Sequence, residues 1–521
     1  MYDLLIRHAR VVDGSGGPAF TADVGIVGER IVALNASLSE EATHIIDAAG
    51  QVLAPGFVDA HTHDDLAILR RSTVPPKVCQ GITTVVIGNC GFGLAPMVPE
   101  YAGVVQDYSA AVLGKDNQPW SWRTMGAFLQ TLRATPKGLN VSALLAHGPL
   151  RVAAMGFERR PATEQEITTQ EDLVAEAMQE GAAGMSLGLV YIPGAYTPTS
   201  ELVRLARVVG RYNGVLAAHM RNEGDNCLDS IREMLTIAEQ AEVAVHLSHL
   251  KMIGRKNWGT INQALNLIAD ARVRGLDVTA DMYPYTAGST TITQLLPSWM
   301  FEGGTNRMIE RLRDPAIQQR LRQDYQHNEP DWERIFLSAV QQEQFKSLEG
   351  LNMLQAAEQL GKTPLEALFF LIIEEKGQIS IITFTMDERD VDLVAQSSFA
   401  MIGSDGLPIL TGKPHPRLYG TFPRFIERYV RELGVLTLEE AIHRTSALPA
   451  QRFRLKDRGI IAENKVADLV LFDPATIHDK ATYNEPRVYP DGIAAVIVSG
   501  QPLVLGQQLQ QTFPGQLITP A

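Results

Sequence analysis

Two histidines, His61 and His63, follow an apolar run in the stretch GFVDAHTHDD at residues 56–65. An aspartate, Asp59, precedes the first histidine by two residues. Side chains alternate between the two faces of a β-strand, so these three residues are expected to project to one side. Imidazole and carboxylate groups gathered on one side suit a metal ion. The stretch therefore predicts a metal site at the end of a strand.

Further residues with metal-binding or acid-base chemistry end other strand-like runs. A single buried histidine is more often a packed core residue than a ligand. Here each candidate stands at the same end of its strand, so a fold that gathers those ends would gather the candidates. They are Cys90 in IGNCGFG, His219 in AAHMRNEG, His249 in HLSHLK and Asp405 in MIGSDGLP.

These residue types indicate zinc-dependent hydrolysis. Thiolate and imidazole ligands together favour zinc, and three protein ligands leave a position free for water. Bound zinc lowers the pKa of its water to about 7, which supplies hydroxide at neutral pH. Asp405 would then accept a proton and return it to the leaving group.

The elements that position these residues are a series of strands alternating with helices. Eight such units over about 400 residues predict an α/β fold of the (β/α)8 TIM-barrel type, in which the strand ends meet at one face. A doubly wound sheet stays open, although no glycine-rich phosphate turn follows the first strand. The candidate strands are VLAPGFVDAH, TTVVIGNC, VSALLAH, GMSLGLVY, VLAAHM, AVHLSHL, VTADMY and FAMIGSD, with helical patterns at 171–180, 200–212, 228–241 and 260–273.

The two ends of the chain are predicted to pair into one small β-domain around this barrel. Residues 1–54 and 456–521 carry short β-branched runs with glycine-containing turns, and neither end has enough strands to be stable alone. Residues 55–455 then form the barrel. Within them a charged, helix-patterned segment at about 289–380 is expected to cover the barrel mouth as a lid. Capping-box spacings at Thr363 and Thr437 predict helix starts.

The overall composition argues against several protein classes. The chain of 521 residues is 45% hydrophobic and 20% charged, as in an ordinary soluble globular protein, and its apolar runs are too short for a bilayer. A net charge of −13 without a basic run argues against a nucleic-acid surface. Cys79, Cys90 and Cys227 cannot form a disulfide framework, and the N-terminus does not have the pattern of a secretory signal. We therefore expect a cytoplasmic protein.

Taken together, the motifs resemble the amidohydrolase superfamily, and within it the N-acyl-D-amino-acid deacylases, or D-aminoacylases. The resemblance covers nearly the whole chain and includes GITTVVIGNCG, DMYPYTAGST and the closing RGIIAENKVADLVLFD. The two histidines and the terminal aspartate mark only the superfamily, whereas the cysteine in NCG points to the deacylases. The resemblance implies a barrel with a β-sandwich companion domain. It also implies hydrolysis of an N-acyl-D-amino acid to a carboxylate and the free D-amino acid.

The resemblance also assigns roles to the candidate residues. Cys90, His219 and His249 are implied as ligands of a tightly bound Zn2+, and Asp405 as the general base and acid. His61 and His63 are implied as a second, weaker metal position that Cys90 can bridge. Many amidohydrolases bridge two metals with a carboxylated lysine on strand four. GMSLGLVY contains no lysine, which agrees with a cysteine serving instead.

The substrate implied by the resemblance carries an α-carboxylate that must be held in place. Lys251, two residues after His249, is expected on the same strand face as that ligand and is a suitable cationic partner. By resemblance, Tyr283 and Ser289 join Lys251 in holding this carboxylate. Arg417, in KPHPRLYG, meets the carboxylate or the substrate side chain, or else forms a loop salt bridge.

Other residues near these motifs have open roles. His147, in LLAHGPLR, ends strand three and is expected to point toward the mouth, as part of the ligand pocket or as a structural residue. Asp59 either orients a histidine ligand or pairs with a backbone group. His246 is expected to lie on the opposite strand face, packed against helices. Cys79 and Cys227 are interpreted as ordinary buried or half-buried thiols.

Two other functions compete with deacylation. A hydantoinase-like amidohydrolase would act on a cyclic amide or a dipeptide, but the absence of a lysine on strand four and the carboxylate-binding set weigh against it. A scaffold protein that kept the fold without catalysis would be expected to have lost ligands, and all are present. The sequence leaves open the preferred side chain and acyl group, the number of metals and the oligomeric state.

Overall fold

The structure is a computed structural model that describes residues 1–71, 74–114, 118–326 and 329–520. Its strands are β1 (Tyr2–Val11), β2 (Phe20–Val27), β3 (Arg30–Asn35), β4 (Ala42–Asp47), β5 (Val52–Pro55), β6 (Phe57–Asp59), β7 (Ile82–Ile87), β8 (Asn140–Ala143), β9 (Leu145–Ala146), β10 (Gly184–Gly188), β11 (Val215–His219), β12 (Ala244–Leu247), β13 (Val278–Met282), β14 (Gly288–Thr291), β15 (Ile335–Ala339), β16 (Ser380–Thr383), β17 (Ala400–Ile402), β18 (Leu469–Phe472), β19 (Ile493–Val498), β20 (Gln501–Leu505) and β21 (Gln508–Leu509).

The α-helices connect these strands and cover the central ones. They are α1 (Asp65–Arg70), α2 (Pro75–Val78), α3 (Ala102–Leu113), α4 (Met125–Ala134), α5 (His147–Met155), α6 (Glu164–Glu180), α7 (Thr199–Arg211), α8 (Cys227–Ala241), α9 (Ile261–Val273), α10 (Thr305–Arg313), α11 (Pro315–Tyr325), α12 (Met353–Leu360), α13 (Pro364–Glu374), α14 (Glu388–Gln396), α15 (Arg417–Ile426), α16 (Leu438–Ile442) and α17 (Leu448–Arg452).

Two parallel sheets lie at the centre of the fold. One has the order β17-β13-β12-β11-β10-β9, and the other has the order β6-β7-β8. Each of the eight runs predicted as strands overlaps at least one of these strands, which confirms an α/β fold built on parallel strands. Strands β10 and β11 are buried along their whole length, as expected where helices cover both faces of a sheet.

Backbone hydrogen bonds join the two parallel sheets at both of their edges. The amide of Ala60, just beyond β6, donates to the carbonyl of Ile402 in β17 at 3.3 Å. At the other edge the amide of Ala183 donates to the carbonyl of Ala143 in β8 at 2.8 Å. Beyond β17 the amide of Asp405 donates to the carbonyl of His61 at 2.8 Å, so two candidate residues are adjacent.

Strands from both ends of the chain meet in one nine-stranded sheet. Its order is β21-β20-β19-β18-β5-β1-β2-β3, with β4 paired to β1. The run predicted as the first barrel strand divides at Gly56, since β5 joins this sheet and β6 joins a parallel one. A Cβ atom at Gly56 would lie 2.2 Å from the side chain of Thr83, so only glycine fits there. In the closing motif Asn464 has a φ of 67°, a left-handed conformation that asparagine tolerates.

The segment between β13 and β17 contains a small antiparallel sheet of order β14-β16-β15 together with α10 to α13. Side chains of these helices, such as Met308 and Leu368, belong to the same hydrophobic core as the central strands. The predicted helix starts are confirmed, because Thr363 and Thr437 each form a complete capping box. No helix in the described part of the chain is both long and apolar enough to cross a bilayer.

Candidate active site

Six side chains from five distant parts of the sequence meet at the carboxyl ends of the central strands, as the sequence analysis expected. All six are buried, and their ligand atoms form three overlapping groups in which every atom lies within 4.8 Å of the others. The groups are His61, His63 and Cys90; then Cys90, His219 and His249; then His61, His249 and Asp405.

Cys90 belongs to two of these groups, as do His61 and His249. Its Sγ atom lies 3.2 Å from Nε2 of His61 and 3.4 Å from Nε2 of His249. Burial alone would raise the pKa of the Cys90 thiol, but the imidazoles of His61 and His249 bring that pKa well below its usual value. The thiolate is the form of cysteine that binds metal ions.

The cluster fits a zinc ion in chemistry and in hydrogen bonding. One thiolate and several imidazoles form a donor set that zinc prefers. Among the described residues, Nδ1 of His63 and Nδ1 of His219 are buried without a hydrogen-bond partner. Buried polar atoms without partners are rare in folded proteins, and a bound ion is one of the recognised explanations for them.

The backbone carries strain at three of these positions. Cys90, His249 and Asp405 have φ values of 54°, 37° and 48° although none is glycine. Positive φ is uncommon for such residues and tends to concentrate where a function requires a particular side-chain direction. The strain therefore aims three strand-end side chains toward one point.

Asp281, in β13, is a supporting residue that the sequence analysis missed. Its Oδ2 atom lies 3.1 Å from Nδ1 of His61 and 2.8 Å from Nε2 of His246. Its Oδ1 atom accepts a hydrogen bond from the amide of His249 at 2.9 Å. A carboxylate on the outer nitrogen of an imidazole fixes the ring orientation and tautomer. The expectation that His246 packs against helices was wrong, because its ring reaches this interior carboxylate.

Glu223 was also missed, although it stands four residues after His219 in the motif AHMRNEG. Its Oε1 atom lies 2.9 Å from Nδ1 of His249 and accepts a hydrogen bond from Nζ of Lys251 at 2.7 Å. Burial opposes ionisation of Glu223, but Lys251 and the neighbouring histidines lower the pKa of this carboxyl. An anion thus contacts both the candidate ligand His249 and the candidate substrate cation Lys251.

Asp405 has contacts on two sides. Its Oδ1 atom lies 3.1 Å from Nε2 of His63, and its Oδ2 atom lies 2.9 Å from Nη2 of Arg417. Burial opposes ionisation, but Arg417 and then His61 hold the pKa of the Asp405 carboxyl well below its usual range. Arg417 is buried at the first turn of α15, and its guanidinium lies 4.5 Å above the ring of Tyr283.

Asp59 does not contact an imidazole. Its Oδ2 atom accepts a hydrogen bond from Nζ of Lys77 at 2.8 Å, and its Oδ1 atom accepts one from the amide of Ser404 at 2.7 Å. Lys77 is completely buried and also donates to the Ser404 hydroxyl. This cluster ties the strand end before His61 to the strand end before Asp405.

A cavity of about 220 Å³ opens over the cluster. Lys251, Tyr283 and Ser289 line it together with Cys90 and Asp405. Residues 288–290, 294, 383 and 385, at and near the small antiparallel sheet, complete one side. The Tyr283 hydroxyl is buried without a hydrogen-bond partner among the described residues.

His147 is not among the residues that line this cavity, which favours the structural one of its two expected roles. It is the first residue of α5 and is fully buried, with no hydrogen-bond partner for either ring nitrogen among the described residues. Burial, and then the charges of Arg151 and Arg221, lower the pKa of His147 to about 3.

Comparisons with known proteins agree with this arrangement. The amidohydrolase family model matches residues 44–504. The chain is 36% identical to D-aminoacylase from Alcaligenes xylosoxydans xylosoxydans, covering 99% of this chain and 96% of that protein. It is also 36% identical to N-acyl-D-glutamate deacylase from the same organism, covering 96% and 93%. The chain belongs to the D-aminoacylase group of the amidohydrolase family. The resemblance found from the motifs is therefore confirmed.

Solved structures of amidohydrolases share the fold. A D-aminoacylase with a binuclear metal centre matches with a TM-score of 0.85 at 34% identity, covering 100% of both chains. A second match is N-acyl-D-glutamate deacylase from Bordetella bronchiseptica, complexed with zinc and a phosphonate mimic of the tetrahedral intermediate. Its TM-score is 0.86 at 33% identity, covering 99% of both chains. D-hydantoinase from Thermus sp. matches with a TM-score of 0.56 at only 15% identity, covering 99% of both chains. This match supports a shared fold and nothing more.

Proposed function

We propose that this amidohydrolase cleaves the amide bond of N-acyl-D-amino acids to release a carboxylate and the free D-amino acid. The observation that carries the proposal is the convergence of Cys90, His219, His249 and Asp405 on the cavity that Lys251 also lines. The same cavity therefore contains a metal-binding set, an ionised acid-base group and a cation for the substrate carboxylate. The D-configuration rests on the relatives, which are named as deacylases of D-amino acids.

Cys90, His219 and His249 would hold a tightly bound zinc ion, while His61 and His63 would form a second, weaker position next to Cys90. Zinc held there would supply Lewis acidity for the amide carbonyl and lower the pKa of water to about 7. Asp281 contacts Nδ1 of His61, and Glu223 contacts Nδ1 of His249. The Nε2 atom of each ring therefore stays directed at the cluster.

Asp405 transfers the proton. Its contact with Arg417 keeps the carboxylate ionised at neutral pH, so the basic form is present before the reaction starts. It accepts a proton from the attacking water and then delivers that proton to the departing amine. Its strained backbone and its contact with His63 fix the direction in which it receives the proton.

Lys251, Tyr283 and Ser289 hold the α-carboxylate of the substrate. Lys251 supplies the charge, and its Nζ atom lies 5.8 Å from the centre of the Tyr283 ring. The Tyr283 hydroxyl, which has no protein partner among the described residues, is free to donate to that carboxylate. Holding the carboxylate fixes the amide carbon near the metal-binding set.

The larger architecture proposed from the sequence follows the same family pattern. We propose that the strands of the two parallel sheets close into a (β/α)8 barrel spanning residues 55–455. The eight barrel strands are β6, β7, β8 with β9, β10, β11, β12, β13 and β17. The hydrogen bonds at both sheet edges support this closure. Residues 1–54 and 456–521 would form the β-sandwich domain, and the segment at about 289–380 would act as a lid. The three free cysteines agree with a cytoplasmic enzyme whose partner is a small-molecule substrate.

Turnover of paired N-acetyl D- and L-amino acids, with zinc analysis of the same preparation, tests the proposal. We expect hydrolysis of D-substrates only, and no hydrolysis of a hydantoin. Asp405→Asn should abolish hydrolysis and leave the zinc content unchanged, whereas exposed Asp229→Asn should alter neither. Near-normal turnover by Asp405→Asn, or preferred hydrolysis of L-substrates, would refute the proposed function.

A further inference from the structure

A second cavity of about 220 Å³ is lined by the segment that directly follows Tyr283. Pro284, Tyr285 and Thr286 line this cavity, whereas Tyr283 lines the cavity over the metal-binding set. In the described part of the chain the two cavities share no lining residue. The volume is below the range of about 300–1,000 Å³ that is typical of pockets for drug-sized ligands, so the cavity suits a small molecule.

Arg424, in α15, gives this second cavity a cation without a carboxylate partner. Its Nε atom donates to the carbonyl of Pro284 at 2.7 Å, and its guanidinium lies 4.9 Å from the centre of the Tyr285 ring. These two contacts hold the guanidinium in place. Among the described residues no carboxylate forms an ion pair with Arg424, and neither Nη atom donates to a protein acceptor. Adjacent guanidinium nitrogens of this kind bind a carboxylate through two parallel hydrogen bonds.

The hydroxyl of Tyr483 adds an unused donor to the same cavity. It is buried and has no hydrogen-bond partner among the described residues. Burial raises the pKa of Tyr483, and the charge of Arg424 opposes that rise only in part, so the hydroxyl is protonated at neutral pH. Buried polar groups without partners are rare in folded proteins. An anion that binds Arg424 therefore meets a second donor in this cavity.

Two carboxylates of α14 also line this cavity, and they outnumber the one cation paired with them. Nη2 of Arg428, one helical turn beyond Arg424, lies 3.0 Å from Oε1 of Glu388 and 2.9 Å from Oδ2 of Asp392. One guanidinium balances one of these charges, so one negative charge remains. Asp392 is the less exposed of the two, at 20% against 60% for Glu388, so its charge is less screened by solvent.

We propose that this cavity is a second binding site, which takes a free α-amino acid. The carboxylate binds the Nη atoms of Arg424 and the Tyr483 hydroxyl, and the ammonium group lies toward Asp392. A zwitterion matches both unbalanced charges, whereas a plain carboxylate or a plain amine matches only one. Because Pro284 follows Tyr283 directly, the bound amino acid contacts the segment that carries a proposed substrate-binding residue. The site does not depend on the proposed function, since binding requires no turnover.

Alanine, propionate and ethylamine provide the test, because alanine carries both charges and each of the others carries one. Isothermal titration calorimetry of the zinc-loaded protein measures the affinity, with D-alanine and L-alanine in separate titrations. We expect at least one enantiomer to bind about tenfold more tightly than propionate or ethylamine, as for one additional hydrogen bond between charged groups. Propionate binding as tight as alanine binding would overturn the assignment to a zwitterion, and a lack of alanine binding would overturn the site.

Four variants separate this site from the proposed active site. Arg424→Met should weaken alanine binding about tenfold, and Tyr483→Phe should also weaken it, because each removes a donor to the carboxylate. Arg389→Met changes an exposed arginine outside the cavity and should leave the affinity unchanged. Lys251→Met disables the proposed site for the substrate carboxylate and should retain alanine binding. Unchanged affinity in folded Arg424→Met and Tyr483→Phe, or loss of alanine binding in Lys251→Met, would overturn the second site.

Discussion

Nη2 of Arg417 lies 2.9 Å from Oδ2 of Asp405, and both side chains are buried. The sequence predicted that Arg417 would contact the substrate or form a salt bridge, and the structure pairs it with the proposed base. Burial opposes ionisation of Asp405, and the arginine, ahead of the neighbouring histidines, holds the pKa of this carboxyl below its usual range. The pair therefore sets the pH range in which the base is active.

Removal of this arginine should move the acidic limb of the pH profile. In Arg417→Met the pKa of Asp405 rises, because burial continues to act without the opposing charge. The low-pH limb of the kcat/KM profile should then shift to higher pH. Arg417→Lys keeps a positive charge and should give a smaller shift. If both variants keep the wild-type profile, Arg417 does not tune the base.

Lys77 should contribute strongly to stability although it lies outside the cavity. Lys77→Met keeps the length of the side chain but leaves the buried carboxylates of Asp59 and Asp64 without their cation. Loss of one partner of a buried pair costs about 3–5 kcal/mol of unfolding free energy, measurable by urea denaturation. Exposed Lys256, paired with Asp225 at the surface, provides the control, and Lys256→Met should cost less than about 1 kcal/mol.

A double variant separates the charge effect from loss of packing. Lys77→Met combined with Asp59→Leu removes both charges of the closer pair and leaves only Asp64, 3.4 Å from the Lys77 ammonium, without its cation, so part of the lost stability should return. Equal losses for Lys77→Met and Lys256→Met, or a double variant no better than the single one, would contradict the assigned role.

His147 should make the protein sensitive to mild acid. Burial lowers the pKa of His147 to about 3, whereas the unfolded value is about 6.5. The stability contributed by the neutral ring is fully present above the unfolded pKa and is lost as the pH falls from about 6.5 toward 3. Within that range the slope approaches about 1.4 kcal/mol per pH unit.

His147→Gln removes this titration, so its unfolding free energy should fall less between pH 6.5 and pH 5 than that of the wild type. Urea denaturation at several pH values measures the difference. The exposed residue His44 serves as the control, and His44→Gln should follow the wild-type curve. Parallel curves for wild type and His147→Gln would show that the buried ring does not titrate in this range.

The parts of the site that the sequence could predict are those set by local patterns. Apolar runs predicted the central strands, and a parallel fold places their carboxyl ends at one face. Cys90, His219 and His249 were therefore expected together, and the structure brings them together. The division of the first run at Gly56 was not predicted, because it depends on the close approach of Thr83 from a neighbouring strand.

The functional residues that the sequence did not predict acquire their roles from partners that are remote in sequence. Lys77, in PPKVCQG, has the local pattern of an ordinary exposed lysine, and it is buried only because Asp59 and Ser404 meet it. Asp281 acquires its role from His61, which lies 220 residues away. Glu223 had a local signal, since it follows His219 by four residues, but its contact with Lys251 comes from the next strand's end.

The central claim is that Cys90 and the histidines around it hold a zinc ion in this amidohydrolase. Zinc-edge X-ray absorption of the purified protein tests it most directly, because sulfur and nitrogen ligands scatter at different distances. We predict one sulfur at about 2.3 Å together with nitrogen at about 2.0–2.1 Å, and loss of the sulfur in Cys90→Ser. A wild-type spectrum with nitrogen and oxygen ligands alone would contradict the account.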